Sequence, residues 1–196
     1  MRNDLVWITD DLGRSREETL DRLGGKGTAL AEMAQALDLP VPPAFVLTTN
    51  VCRTYVQSGW PVGLNNRVRE AMEELGSRTE RRFGDPGRPL LVALRSSAPV
   101  SMPGMMDTVL NVGINPEVRD GIARETGRPD VAAQIWLRFC RMYAATVLEM
   151  DRTQIDDVVG APVDADTCNA AAERLRHAAE AFGAIPDDPH AQTRGG

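Results

Sequence analysis

Lys26 is the chain's single lysine, and it stands inside a glycine cluster, Gly24-Gly25-Lys26-Gly27, directly ahead of a segment with helical spacing. The other 21 basic residues are arginines. An ammonium is a compact point charge, whereas a guanidinium is a planar fork. Keeping one lysine here reflects either drift or a need for that point charge. Glycines let backbone N–H groups approach an anion closely, and the positive end of a following helix adds to the attraction. Lys26 would then reach phosphate oxygens. The spacing is not that of a P-loop, since GxxxxGK[ST] is absent. A glycine turn before a helix also serves purely structural ends.

Two further segments carry chemistry. Arg95 follows the apolar run Leu90-Leu91-Val92-Ala93-Leu94. A guanidinium at the end of such a run needs an anion to offset its desolvation, either a phosphate or a neighbouring carboxylate. Ser101-Met102-Pro103-Gly104-Met105-Met106-Asp107-Thr108 offers hydroxyls and backbone donors suited to a phosphate chain. Its methionines form a flexible apolar cover or, in the plainer reading, simply part of the core.

The elements that must position these residues alternate in type. Val6-Trp7-Ile8 reads as a strand. Thr28 to Leu39 reads as a helix with Leu30, Met33, Ala34 and Leu37 on one face, ending before Pro40. Phe45 to Thr49 reads as a strand, and Thr49 or Asn50 caps a helix over Val51 to Ser58. Residues 65–83 form an amphipathic helix with Val68, Met72 and Leu75 inward. Leu90 to Leu94 is expected as a buried strand that delivers Arg95, and Asp107 to Val112 as another strand. Helices follow over Glu117 to Glu125, Val131 to Leu148 (stripe Ile135, Phe139, Met142, Val147) and Asp164 to Phe182. The expected class is α+β, with a mixed lobe over 1–115, a helical subdomain over 116–185 and a frayed tail over 186–196.

Composition narrows the function classes. A net charge of -6 and a pI near 5.0 argue against a general nucleic-acid binder. No run approaches a membrane span, and the first residues lack a signal-peptide core, so a cytoplasmic protein without membrane partners is expected. Cys52, Cys140 and Cys168 are too widely spaced for a zinc site or a disulfide framework and read as reduced, mostly buried thiols. No metal ligands are assigned.

Taken together, GGKGTALAEMAQALDLPVPPAFVLTT and LLVALRSSAPVSMPGMMDTVLNVGIN resemble the N-terminal nucleotide-binding domain of the pyruvate, phosphate dikinase family in content, order and separation. The resemblance is strong over about residues 5–115 and continues more weakly through IWLRFCRMYAATVLEMD. SMPGMMDTVLN is its most specific part. Ser97 stands where the dikinases usually carry Gly, and Ala44 replaces a Gly after Pro-Pro; neither change removes a charge.

The resemblance implies an ATP-grasp-like lobe followed by a helical subdomain. It places ATP phosphates on Lys26 and Arg95, with Gly104, Asp107 and Thr108 lying over the triphosphate. It implies phosphoryl transfer from ATP to a histidine carrier and ultimately to pyruvate, giving phosphoenolpyruvate. The acidic second lobe that holds Mg²⁺, and the phosphohistidine domain, are expected outside these residues, in cis or in trans. The chain alone is therefore expected to be catalytically incomplete. The alternatives are a non-catalytic binding or regulatory module and part of a related phosphotransferase with another acceptor. His177 lacks the context of a phosphohistidine motif, and His190 reads as a solvated tail residue.

Overall fold

The computed structural model describes residues 4–10, 12, 15–37, 39–96 and 108–193. The fold is α+β, with helices dominant and three small two-stranded sheets among the described residues. The chain packs as two compact units. One runs up to Thr79; the other gathers Glu80–Arg95 and the described residues after Asp107. Packing thus groups Glu80–Arg95 and the strand after Asp107 with the helices that follow, rather than dividing the chain near residue 115.

The first unit contains β1 (Leu5–Trp7), α1 (Arg16–Gln35), β2 (Phe45–Leu47), α2 (Thr49–Ser58) and α3 (Leu64–Thr79). β1 and β2 pair antiparallel, Leu5 against Leu47 and Trp7 against Phe45. α1 begins earlier than its spacing suggests because Ser15 and Glu18 form a capping box. Its inward residues are Thr19, Leu23, Gly24, Gly27, Thr28 and Ala31. The expected face, Leu30, Met33, Ala34 and Leu37, is not the buried one, and Leu37 is 63% exposed. Close approach is the reason: a Cβ on Gly27 would lie 3.3 Å from Val46 Cγ2, so β2 rests on the small-residue side of the helix.

Asp4 joins three elements of this unit. Its carboxylate accepts from Arg67 Nη2 at 2.8 Å and from Asn50 Nδ2 at 3.2 Å, while its carbonyl accepts from the Thr48 N–H at 3.0 Å. The Arg67 guanidinium holds the Asp4 carboxyl below its ordinary range. Arg78 stacks over Trp7, its guanidinium carbon 3.8 Å from the ring centre.

The second unit contains β3 (Arg82–Phe83), β4 (Pro89–Leu90), β5 (Val92–Arg95), β6 (Thr108–Val112), α4 (Pro116–Thr126), α5 (Pro129–Thr146), α6 (Arg152–Val159), α7 (Ala165–Ala179) and α8 (Pro189–Gln192). α5 is its axis. Trp136, Phe139, Cys140 and Ala144 are fully buried there and belong to one core with Ala171, Ala172, Leu175 and Ala179 of α7. Helix starts are well marked: Asn115, Asp151 and Asp164 cap α4, α6 and α7 through their side chains, and Pro116 and Pro129 open α4 and α5. α4 lies almost against the turn before β4, since a Cβ on Gly121 would fall 1.9 Å from the Pro86 carbonyl oxygen.

Two expectations are corrected here. Leu90 to Leu94 is not one buried strand. It is split at Leu91 between two sheets, and Ala93 and Leu94 are exposed because β5 belongs to a two-stranded ribbon. Nor is the segment from Pro186 to Thr193 frayed. α8 ends on Gln192, which is 2% exposed and bonded to the backbone of Gly113, Ile114 and Pro186.

Candidate functional site

Lys26 is half-buried within α1, two residues past a break in the helix. The expected flexible loop is reduced to that break: Gly24 alone leaves helical geometry, at φ 70° and ψ 174°. This backbone region is essentially restricted to glycine. Thr28 Oγ1 donates to the Gly24 carbonyl at 2.8 Å, so a buried hydroxyl takes up an acceptor beside the break. The cluster therefore has two structural duties, a break at Gly24 and close packing at Gly27. The kink sets the start of the helical segment that carries Lys26.

Arg95 and Thr108 lie on the second unit and are brought together. They face each other as cross-strand partners at the end of the β5–β6 ribbon where β5 stops and β6 starts. Directly opposed residues of an antiparallel pair have Cβ atoms about 5 Å apart. Arg95 is exposed and Thr108 half-buried. Gly104 and Asp107 lie outside the described residues.

The register that opposes Arg95 and Thr108 depends on an irregularity. Val92 pairs with Val112 but Leu94 pairs with Val109, so β6 uses one more residue than β5 over this span. Asn111 adopts φ 62°, and Gly113 follows at φ 105°. A bulge of this kind re-aims the side chains beyond it. No motif in the sequence announces it, although an Asn two residues before a Gly is compatible with left-handed backbone.

A cavity of about 540 Å³ in the first unit is lined by Glu17, Glu18, Asp21, Arg22, Thr48, Thr49, Asn50 and Arg53. Within its wall Arg53 pairs with Asp21 at 2.8 Å, and Thr49 Oγ1 donates to the Asp21 carbonyl at 2.7 Å. Lys26 does not line it. Among the described residues, no three His, Cys, Asp or Glu side chains are grouped to hold a metal ion. Cys140 and Cys168 are buried and Cys52 is exposed. Burial pushes the Cys140 thiol far above its ordinary pKa and raises that of Cys168. His177 is exposed beside Glu180 at 3.4 Å. His190 is not a loose solvated residue, since its ring meets Phe83 edge-on at 5.3 Å. No helix among the described residues is long and apolar enough to cross a membrane.

Comparison with known proteins identifies the relationship. Residues 20–75 match the family described as the AMP/ATP-binding domain of pyruvate phosphate dikinase. The chain is 43% identical over 144 residues to the pyruvate, phosphate dikinase of Rhizobium meliloti (strain 1021), covering 72% of this chain and 16% of that protein. The chain is thus similar to part of pyruvate, phosphate dikinase. The dikinase of Clostridium symbiosum is 39% identical over 170 residues, covering 83% of this chain and 19% of that protein. Pyruvate, phosphate dikinase 1, chloroplastic, of Oryza sativa subsp. japonica is 42% identical over 139 residues, covering 70% and 14%. The chain thus spans less than a fifth of these dikinases. Lys26 falls within the segment matched by the domain family, while Arg95 and Thr108 lie beyond it.

Proposed function

We propose that this chain supplies part of the ATP site of a dikinase-type phosphotransferase, in an ATP-grasp-like lobe. Lys26 supplies a point charge to the phosphates, and Arg95 a forked set of donors. The Thr108 hydroxyl adds a donor beside Arg95, with Gly104 and Asp107 over the triphosphate. The observation that carries this reading is the cross-strand pairing of Arg95 with Thr108, in a chain whose lysine-bearing segment matches an AMP/ATP-binding domain. Phosphoryl transfer relies mainly on positioning and charge neutralisation, and these residues are of the types that provide both.

Mg²⁺ would neutralise phosphate charge in such a reaction. Its ligands are assigned to a second lobe, in cis or in trans, as the resemblance implies. A phosphohistidine domain supplies the acceptor, and pyruvate receives the phosphoryl group downstream. The setting is cytoplasmic. On its own the chain binds ATP and completes no transfer.

Titrating the ¹⁵N-labelled chain with Mg-ATP tests the site. The expected result is perturbation of amides around Lys26, Arg95 and Thr108. Perturbation confined to other regions would overturn the assignment. Phosphoenolpyruvate formed by this chain alone from ATP, phosphate and pyruvate would refute its catalytic incompleteness.

A further inference from the structure

Gln192 closes the short helix α8. Its side chain is buried, and its amide is spent on three backbone groups. Oε1 accepts from the Gly113 N–H at 2.9 Å, and Nε2 donates to the carbonyls of Ile114 at 2.8 Å and Pro186 at 2.9 Å. One donor and two acceptors around the amide fix which way it points. The segment that presents it is itself held: Arg176 pairs with Asp187 at 2.7 Å, Asn115 Nδ2 donates to the Asp187 carbonyl at 3.2 Å, and His190 packs on Phe83.

The two residues that Gln192 grips, Gly113 and Ile114, directly follow β6. The Ile114 N–H in turn donates to the Asn111 carbonyl at 3.2 Å, closing the turn that contains the left-handed Asn111. That turn adjoins the bulge between the Val92–Val112 and Leu94–Val109 pairings, on which the Arg95–Thr108 pairing depends. A slip of one residue in an antiparallel pair turns every side chain to the opposite face. Holding the turn therefore holds Arg95 and Thr108 in one another's company.

We propose that Gln192 is a positioning residue for nucleotide binding: by pinning the turn after β6 it locks the strand register that sets Thr108 opposite Arg95. The inference rests on the reading of Arg95 and Thr108 as phosphate ligands. Alanine at 192 would leave one N–H and two carbonyls without this partner in a buried setting. Losing one charge-assisted contact to phosphate from Arg95 corresponds to about tenfold in affinity.

The test uses the full chain with Gln192→Ala, Arg95→Ala and the double variant, with Mg-ATP as the probe. Gln192→Ala is expected to weaken Mg-ATP binding about tenfold, to abolish the Arg95–Thr108 cross-strand nuclear Overhauser effects, and to leave amide protection in α5 intact. In the Arg95→Ala background it should cost clearly less affinity, because the charged residue through which it acts is gone and only the Thr108 hydroxyl remains to be displaced. Retained cross-strand effects, or an equal loss in both backgrounds, would overturn the proposal. Should Gln192→Ala fail to fold, Gln192→Glu decides. Only a protonated acid can both accept from Gly113 and donate to a carbonyl, so its affinity should fall with rising pH relative to the parent chain; a parallel pH profile counts against the idea. If the parent chain does not bind Mg-ATP, the functional reading fails, and the Overhauser effects still report whether Gln192 sets the register.

Discussion

Asp4 shows how one carboxylate can secure a small unit. Its bond to Arg67 depresses its pKa, with Asn50 adding to the effect. A depressed folded-state pKa gives stability that is fully present above the unfolded value of about 3.9 and is lost as pH falls through the lower folded value. Both side chains are mostly shielded, at 17% and 29% exposure, so the pair should exceed an open surface bridge. Asp4→Asn should therefore cost about 1 kcal/mol at neutral pH. The gap between variant and parent should close in acid. Denaturant titrations at neutral pH and near pH 2 would measure both; a gap independent of pH would show that the pair contributes nothing through its charge.

Gly121 makes a second residue-scale prediction. Alanine normally favours a helix over glycine by about 1 kcal/mol. Here its Cβ would fall 1.9 Å from the Pro86 carbonyl oxygen, on backbone that cannot swing aside. Gly121→Ala should destabilise the second unit by about 1–3 kcal/mol despite the gain in propensity. A stabilised variant in thermal unfolding would contradict the close approach of α4 to that turn.

At the scale of elements, the break in α1 is the feature with most bearing on the site. Gly24 occupies backbone that other residues adopt only at a cost of about 1–3 kcal/mol. Gly24→Ala should lower stability by that amount and move the Lys26 amide environment, whereas an alanine at exposed Gly63 should affect stability without reaching Lys26. Chemical-shift mapping of the two variants would separate these outcomes. The β5–β6 ribbon matters equally, because two strands with a bulge carry Arg95 and Thr108.

Legibility in the sequence followed physical lines. α3, α4, α5 and α7 are legible as helices from apolar periodicity, and Pro40 marks a limit for α1. α3 nevertheless stops at Thr79 and not at residue 83, with β3 at Arg82–Phe83. α5 buries Trp136, Phe139, Cys140 and Ala144 fully, while Ile135, Met142 and Val147 of the expected stripe are only partly buried. The buried face of α1 is not legible, because Gly24, Gly27, Thr28 and Ala31 pack by smallness rather than hydrophobicity. α6 is only eight residues long, too short for its apolar spacing to mark a helix. The stretch after residue 185 was expected to fray, although a capping side chain followed by Pro, as in Asp188-Pro189, is also how a helix begins. Within the site, Lys26 and Arg95 stood out by type and context. Their local geometry did not: register is a property of pairing, and the bulge at Asn111 leaves no mark in spacing.

For the whole molecule, two units carry different parts of one proposed function, Lys26 on the first and Arg95 with Thr108 on the second. The most direct test of the central claim is calorimetric titration of Mg-ATP into the full chain and into Lys26→Ala and Arg95→Ala. Binding by the parent chain and a loss of about tenfold or more in each variant, roughly 1.4 kcal/mol apiece, is the predicted result. No binding by the parent, or unchanged affinity in both variants, would contradict it.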